Sequence, residues 1–150
     1  MKEIDLLNEA QKELSRIGTV MNEVSAREKT YEEKLAGLKK ELPDMLTRMA
    51  LGESVTRSEV DEVKESIRIV KERIDEIPIT LEGLEPIRLR AEYKVRDATK
   101  QIEKLYQSIK DNLSKGDKSP GLIEDLKSYS SYVGIVEDCE EFVRKIKQTK

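Results

Sequence analysis

The sequence predicts an all-α protein in which two long helices form an antiparallel coiled-coil hairpin and a shorter third helix packs at its base. Three observations lead to this prediction. Charged residues make up 39% of the chain and aromatics 4%, apolar residues recur at steps of three and four over two long stretches, and a glycine separates those stretches. A chain with so many charged and so few aromatic residues is poorly suited to forming a thick globular core, and this composition favours thin helical layers.

The first long stretch has an apolar seam whose steps alternate between three and four residues, and Glu28 is its one polar member. The seam consists of Leu7, Ala10, Leu14, Ile17, Met21, Val24, Glu28, Tyr31, Leu35, Leu38, Leu42, Met45 and Met49. This is the heptad pattern of a coiled coil. Gly52 follows, and a glycine just past the last periodic residue predicts a helix end.

A second helix is predicted to begin after Thr56, because Thr56 and Glu59 have the spacing of a capping box. Its seam continues the same alternation through Pro78 and Pro86 to Ile109. Proline inside a helix costs about 3 kcal/mol, which favours a break between 77 and 86. The unbroken heptad phase favours instead one helix that is kinked near the two prolines.

A turn at Gly52 fixes the register of the two seams. If the connection is as short as helical hairpins use, residue i faces residue 105 − i. Met45 then meets Val60, and Leu7 meets Ala98. A register shifted by seven residues would also align the seams, but it would need a longer connection.

The segment SKGDKSPG at 114–121 contains two glycines and a proline and is predicted to be a loop. A third, shorter helix follows, and its length allows it to pack only along the C-terminal half of helix 2, with Val133 near Ile102 and Val143 near Ala91. We therefore expect a single elongated helical domain over residues 1–150. Helix 1 covers about 3–50, helix 2 about 57–113, the linker 114–120 and helix 3 about 121–148.

Several kinds of chemistry have no support in the sequence. The chain contains no His, the commonest general base and a frequent metal ligand. It has no glycine-rich phosphate loop after a strand, and Cys139 is its only cysteine. We expect no catalytic residues, no metal site, no cofactor and no small-molecule substrate. No apolar run approaches the roughly 20 residues that span a bilayer, so we expect a cytoplasmic protein that does not enter a membrane.

Charge is distributed unevenly, although the net charge is only −3. Residues 41–86 carry twelve acids and six bases, a net charge of −6. Residues 87–100 carry five bases and two acids, a net charge of +3, and the bases are a candidate basic patch: Arg88, Arg90, Lys94, Arg96 and Lys100. Nucleic acid is an unlikely partner, because phosphates would repel the acidic segment.

Some apolar residues near the hairpin turn lie off the predicted seam. They are Leu46, Leu51, Val55, Ile69 and Ile79. A two-helix arm buries one stripe on each helix, so further apolar side chains on it have no partner within the chain. They predict an interaction surface for a second copy or a partner helix, and we expect a homo-oligomer.

In outline, this hairpin resembles prefoldin subunits and the small coiled-coil stalk proteins of flagellar and related export machines. The resemblance is one of fold alone, and prefoldin subunits carry β-hairpins where this chain has ALGESV. We expect a non-enzymatic structural or adaptor protein that acts by protein–protein interaction. The alternatives are a chaperone-like or export-associated holder of other chains and, more weakly supported, a protein that associates with nucleic acid through residues 87–100.

Overall fold

The computed structural model describes residues 1–148, which form four α-helices. They are α1 (Lys2–Ala50), α2 (Arg57–Ser114), α3 (Leu122–Val133) and α4 (Val136–Gln148). The all-α class and the hairpin of two long helices are confirmed. Helix α2 includes Pro78 and Pro86 without an interruption. Residues 149 and 150, which belong to the expected domain, lie outside the described part of the chain.

The turn of the hairpin is held by backbone hydrogen bonds at the end of α1. Gly52 has a φ of 77°, and its N–H donates to the carbonyl of Met49 at 3.1 Å, while the N–H of Glu53 donates to the carbonyl of Arg48 at 3.0 Å. These two bonds form a Schellman motif, which requires a left-handed residue at the position of Gly52. The Arg48 side chain also binds the Glu53 carboxylate at 3.0 Å.

The start of α2 is capped as the sequence predicts. The N–H of Glu59 donates to Oγ1 of Thr56 at 3.2 Å, which satisfies one of the backbone donors left free at a helix N-terminus. Helix α2 therefore begins within a few residues of the end of α1, and the connection is short.

The chain divides into two compact units. One consists of residues 16–88, which include the turn. Its core near the turn is formed by Met45, Val55 and Val60, with Leu42 and Val63 packed against them. Met45 with Val60 and Leu42 with Val63 are pairs that the predicted register brings together, and their membership of one cluster agrees with that register.

The other unit consists of residues 1–15 and 89–150, described here to residue 148. Its core combines side chains from all four helices, including Leu7 of α1, Ile102 of α2, Leu126 of α3 and Cys139 of α4, each almost completely buried. Side chains from more elements meet here than near the turn. The aromatic residues Tyr106 and Tyr129 are part of this core.

The prediction of a single third helix over about 121–148 is wrong. This stretch is divided into α3 and α4 at Gly134. Gly134 has a φ of 74° and its N–H donates to the carbonyl of Ser130. The N–H of Ile135 donates to the same carbonyl at 3.0 Å. A left-handed glycine of this kind ends a helix, and α4 packs against α3. A continuous helix would place Asp138 near residue 97, whereas its carboxylate instead binds Tyr106 and Lys110.

Candidate interaction surfaces

Two of the five apolar residues expected on the interaction surface pack in the cluster near the turn. Val55 is only 8% exposed and packs in one cluster with Met45 and Val60. It directly precedes the capping residue Thr56, and Val60 is the fourth residue after that cap, so the two form a hydrophobic staple. Leu46 is half-buried against the same cluster. The staple spacing was already present in the sequence and would have identified Val55 as a core residue.

The other three apolar residues are exposed. Leu51 is 73% exposed, Ile79 70% and Ile69 40%. Ile69 and Ile79 lie within regular helix, whereas the neighbouring Val70 and Ile77 are buried. The two isoleucines therefore point away from the seam that holds the hairpin together, as the heptad phase predicts.

Ile79 lies among carboxylates, which together with it define what we call the acidic patch: Glu72, Asp75, Glu76, Ile79 and Glu82. All five are exposed on α2. The acids stand seven, four and three residues before Ile79 and three residues after it, and these spacings place side chains on one side of a helix. The acidic patch is thus an apolar side chain surrounded by negative charge.

The charges of the acidic patch are partly neutralised within the chain. Glu72 binds the guanidinium of Arg68 at 2.6 Å, and Glu76 binds that of Arg73 at 3.3 Å. Asp75 and Glu82 form no ion pair within residues 1–148. Two carboxylates are therefore available to a cationic partner.

A second surface, which we call the basic patch, lies further along α2. It consists of Leu89, Arg90, Tyr93, Lys94, Arg96 and Lys100, all exposed. Arg88, expected as a member, differs from the others. Its guanidinium is hydrogen-bonded to Glu85 and holds the pKa of that carboxyl below its usual value. Arg88 is also less exposed than the members of the basic patch.

The four cations of the basic patch have no carboxylate partner among the described residues. By contrast, Arg48, Arg57 and Arg68 all form ion pairs. The sequence did not reveal this difference, because Glu92 and Asp97 lie close enough along the helix to have served as partners. Unpaired cations on a helix surface are available to an anionic group from outside the chain.

Tyr93 is the aromatic residue of the basic patch and was not among the site residues predicted from the sequence. Tyr93 is 56% exposed, and the guanidinium of Arg96 lies 5.4 Å from the centroid of its ring. This is a cation–π distance. A signal was present: Tyr93 follows Ile79 by fourteen residues, or two heptads, and neither residue belongs to the seam.

The described residues also contain a recess of about 490 Å³ beside the loop that precedes α3, lined in part by Leu113, Asp117, Ser119 and Ile123. The Asp117 carboxylate accepts bonds from the Ser119 N–H at 2.9 Å and from its hydroxyl at 2.6 Å. These bonds lower the pKa of Asp117. The carboxylate is thus used to order the loop.

Within residues 1–148, no cluster of three or more Cys, Asp or Glu side chains has an arrangement that could hold a metal ion. In the same residues, no helix has the combination of length and apolar content needed to cross a membrane.

Comparison with known proteins identifies no relative of this chain. No protein-family model matches the chain, and no significant match is found among curated proteins or solved structures.

Proposed function

We propose that this chain is a non-enzymatic structural or adaptor protein that acts through protein–protein contacts on the outer faces of its helices. The observation that carries this proposal is the exposure of Ile79, 70% of which remains accessible on a regular helix whose opposite face is already buried. Full burial of an isoleucine contributes about 1.5–3 kcal/mol. A partner that covers the exposed part of this side chain gains most of that stabilisation.

The surroundings of Ile79 support a specific contact. Asp75 and Glu82 flank it without a partner of their own. An apolar centre with a charged rim is the usual composition of a protein interface. The charges would select partners that carry complementary bases.

The test is to measure the size of the assembly that the chain forms in its own cell. A tagged wild-type chain is expected to migrate in native complexes larger than the monomer, and Ile79→Glu is expected to abolish them while helicity is retained. Ile79→Leu is the matched control, because it keeps an apolar side chain at the same position and should leave the complexes intact. Complexes of unchanged size with Ile79→Glu would contradict the proposal.

A second candidate function, association with single-stranded nucleic acid, is favoured by the basic patch. Its four unpaired cations surround an exposed tyrosine, and cations with an aromatic ring on which a base can stack are the usual elements of such sites. Binding to a fluorescent oligonucleotide should then weaken steeply with salt and be reduced by Tyr93→Ala. Binding at background level would exclude this function.

A further inference from the structure

We propose that the partner of the acidic patch is the basic patch of a second copy of this chain, with the two α2 helices antiparallel. This inference rests on the proposed function, because it names the partner of the same Ile79 surface. The two surfaces carry complementary charge. Two carboxylates of the acidic patch and all four cations of the basic patch lack ion pairs within residues 1–148, so each surface carries the charge that the other lacks.

The spacing of apolar and charged residues also matches between the two patches. Each patch has an exposed apolar residue: Ile79 in the acidic patch and Tyr93 in the basic patch. Glu72 precedes Ile79 by seven residues, and Lys100 follows Tyr93 by seven. Antiparallel helices that place Ile79 against Tyr93 of the second copy therefore also bring Glu72 against Lys100.

The flanks of the two patches agree with the same register. Asp75 stands four residues before Ile79, and Arg96 stands three residues after Tyr93. In a heptad repeat, positions four before and three after a central residue lie on the same side of it. Two antiparallel helices pair like sides, so Asp75 meets Arg96 of the second copy. Asp97, four residues after Tyr93, lies on the other side of it and faces Glu76 of the second copy, whose charge is neutralised by Arg73.

Orientation follows from the order of the charges along the helix. The acidic patch precedes the basic patch in the chain, so two α2 helices in parallel register would place acid against acid and base against base. Like charges in direct opposition destabilise an interface.

The experiment uses disulfide formation between two differently tagged chains. One chain carries Ile79→Cys and the other Tyr93→Cys, and Cys139 is retained because it is buried. A disulfide requires Cα atoms within about 7 Å. After mild oxidation of the mixed, purified chains, the proposal expects a bond between positions 79 and 93, identified by mass spectrometry of the linked peptides.

A second pair of variants, Glu72→Cys with Lys100→Cys, distinguishes the antiparallel register from a parallel pair staggered by two heptads, which would also bring position 79 to position 93. We expect disulfides to form both between positions 79 and 93 and between positions 72 and 100. Ile69→Cys with Tyr93→Cys is the matched control, because Ile69 is also exposed on α2 but lies outside the acidic patch, and it should crosslink several-fold less. Equal crosslinking of the control, or absence of the 72 to 100 bond, would overturn the register.

Charge reversal provides a measurement that does not depend on engineered cysteines. Asp75→Lys and Arg96→Glu should each raise the dissociation constant in sedimentation equilibrium, and the double variant should restore it towards the wild-type value. Neither residue has an ion pair within the described chain, so the single variants should keep wild-type helicity. A double variant as weak as the single variants would overturn the pairing.

Failure of this inference can be distinguished from failure of the proposed function. If the purified chain stays monomeric and forms no disulfide between positions 79 and 93, the partner is not a second copy. The proposed function still stands if Ile79→Glu abolishes the complexes in the cell. Unchanged cellular complexes overturn both. Tyr93-dependent oligonucleotide binding by a chain that forms no such disulfide also overturns the inference, because the basic patch then serves nucleic acid.

Discussion

The phenol of Tyr106 donates a hydrogen bond of 2.7 Å to Oδ2 of Asp138 and so ties α2 to the first turn of α4. The Lys110 ammonium lies 3.3 Å from the same oxygen. These two donors, the phenol above all, hold the pKa of the Asp138 carboxyl below its usual value. Burial, followed by this bond, raises the pKa of Tyr106. The ionised carboxylate is therefore the form that stabilises the attachment of α4.

Asp138→Asn is expected to lower the free energy of unfolding by about 1 kcal/mol at neutral pH, since a charged hydrogen bond is lost at a half-exposed site. A carboxyl whose pKa is lower in the folded state stabilises the fold above its unfolded pKa, about 3.9. This contribution is lost as pH falls through the folded pKa. Thermal unfolding of the two proteins at a series of pH values should therefore show their difference shrinking below about pH 4.

Glu137→Gln is the control for Asp138→Asn, because Glu137 is an acid in the same helix turn and makes no bond within the described residues. It should lower stability less than Asp138→Asn does. An equal loss would mean that the helix dipole, and not the bond to Tyr106, accounts for the effect.

Alanine substitutions at two glycines of the hairpin should change the free energy of unfolding in opposite directions. Gly52→Ala places a side chain at a φ of 77° and should cost about 1–2 kcal/mol. Gly37→Ala lies in the exposed interior of α1, where an added Cβ meets nothing within 4 Å, and should stabilise by up to about 1 kcal/mol. Urea unfolding monitored by circular dichroism measures both. A Gly52→Ala variant that is as stable as the wild type would contradict the assigned helix end.

The hairpin could be predicted from the sequence because its signals repeat. Every seam position indicates the same helical face, and Gly52 and Thr56 mark the two helix ends at the turn. Facing pairs such as Met45 with Val60 are then obtained by counting residues outward from the turn. The division of the third helix depends on one residue. Gly134 lies between apolar residues that continue the stripe on both sides, and glycine is tolerated inside helices at a modest cost.

The candidate surfaces were predicted only in part, for a similar reason. Exposure of Ile69 and Ile79 follows from the heptad phase, since off-seam positions are defined as soon as the seam is. Burial of Val55 depends on how the chain enters α2, which the periodicity does not describe. Whether Arg96 finds a carboxylate depends on side-chain conformation, because the spacing in the sequence allows several pairings and the structure forms none of them.

The staple at the start of α2 predicts different effects for two nearby apolar residues. Val55→Ala removes a side chain from the cluster with Val60 and should lower the free energy of unfolding by about 1–2 kcal/mol. Leu51→Ala removes a larger side chain that is 73% exposed and should change it by less than about 0.5 kcal/mol. Chemical denaturation compares the two. A larger loss for Leu51→Ala would mean that the turn packs differently.

Two adjacent residues of α2 test which face of the helix holds the hairpin together. Val70 is 4% exposed and Ile69 40%, so Val70→Glu buries an unpaired charge and should cost about 3 kcal/mol or more. Ile69→Glu places the same charge in solvent and should leave helicity and thermal unfolding nearly unchanged. Circular dichroism spectra and melting curves of the two variants are the measurement. If Ile69→Glu melts as early as Val70→Glu, the buried face of α2 has been assigned wrongly, and the acidic patch would have to be redrawn around a different stripe.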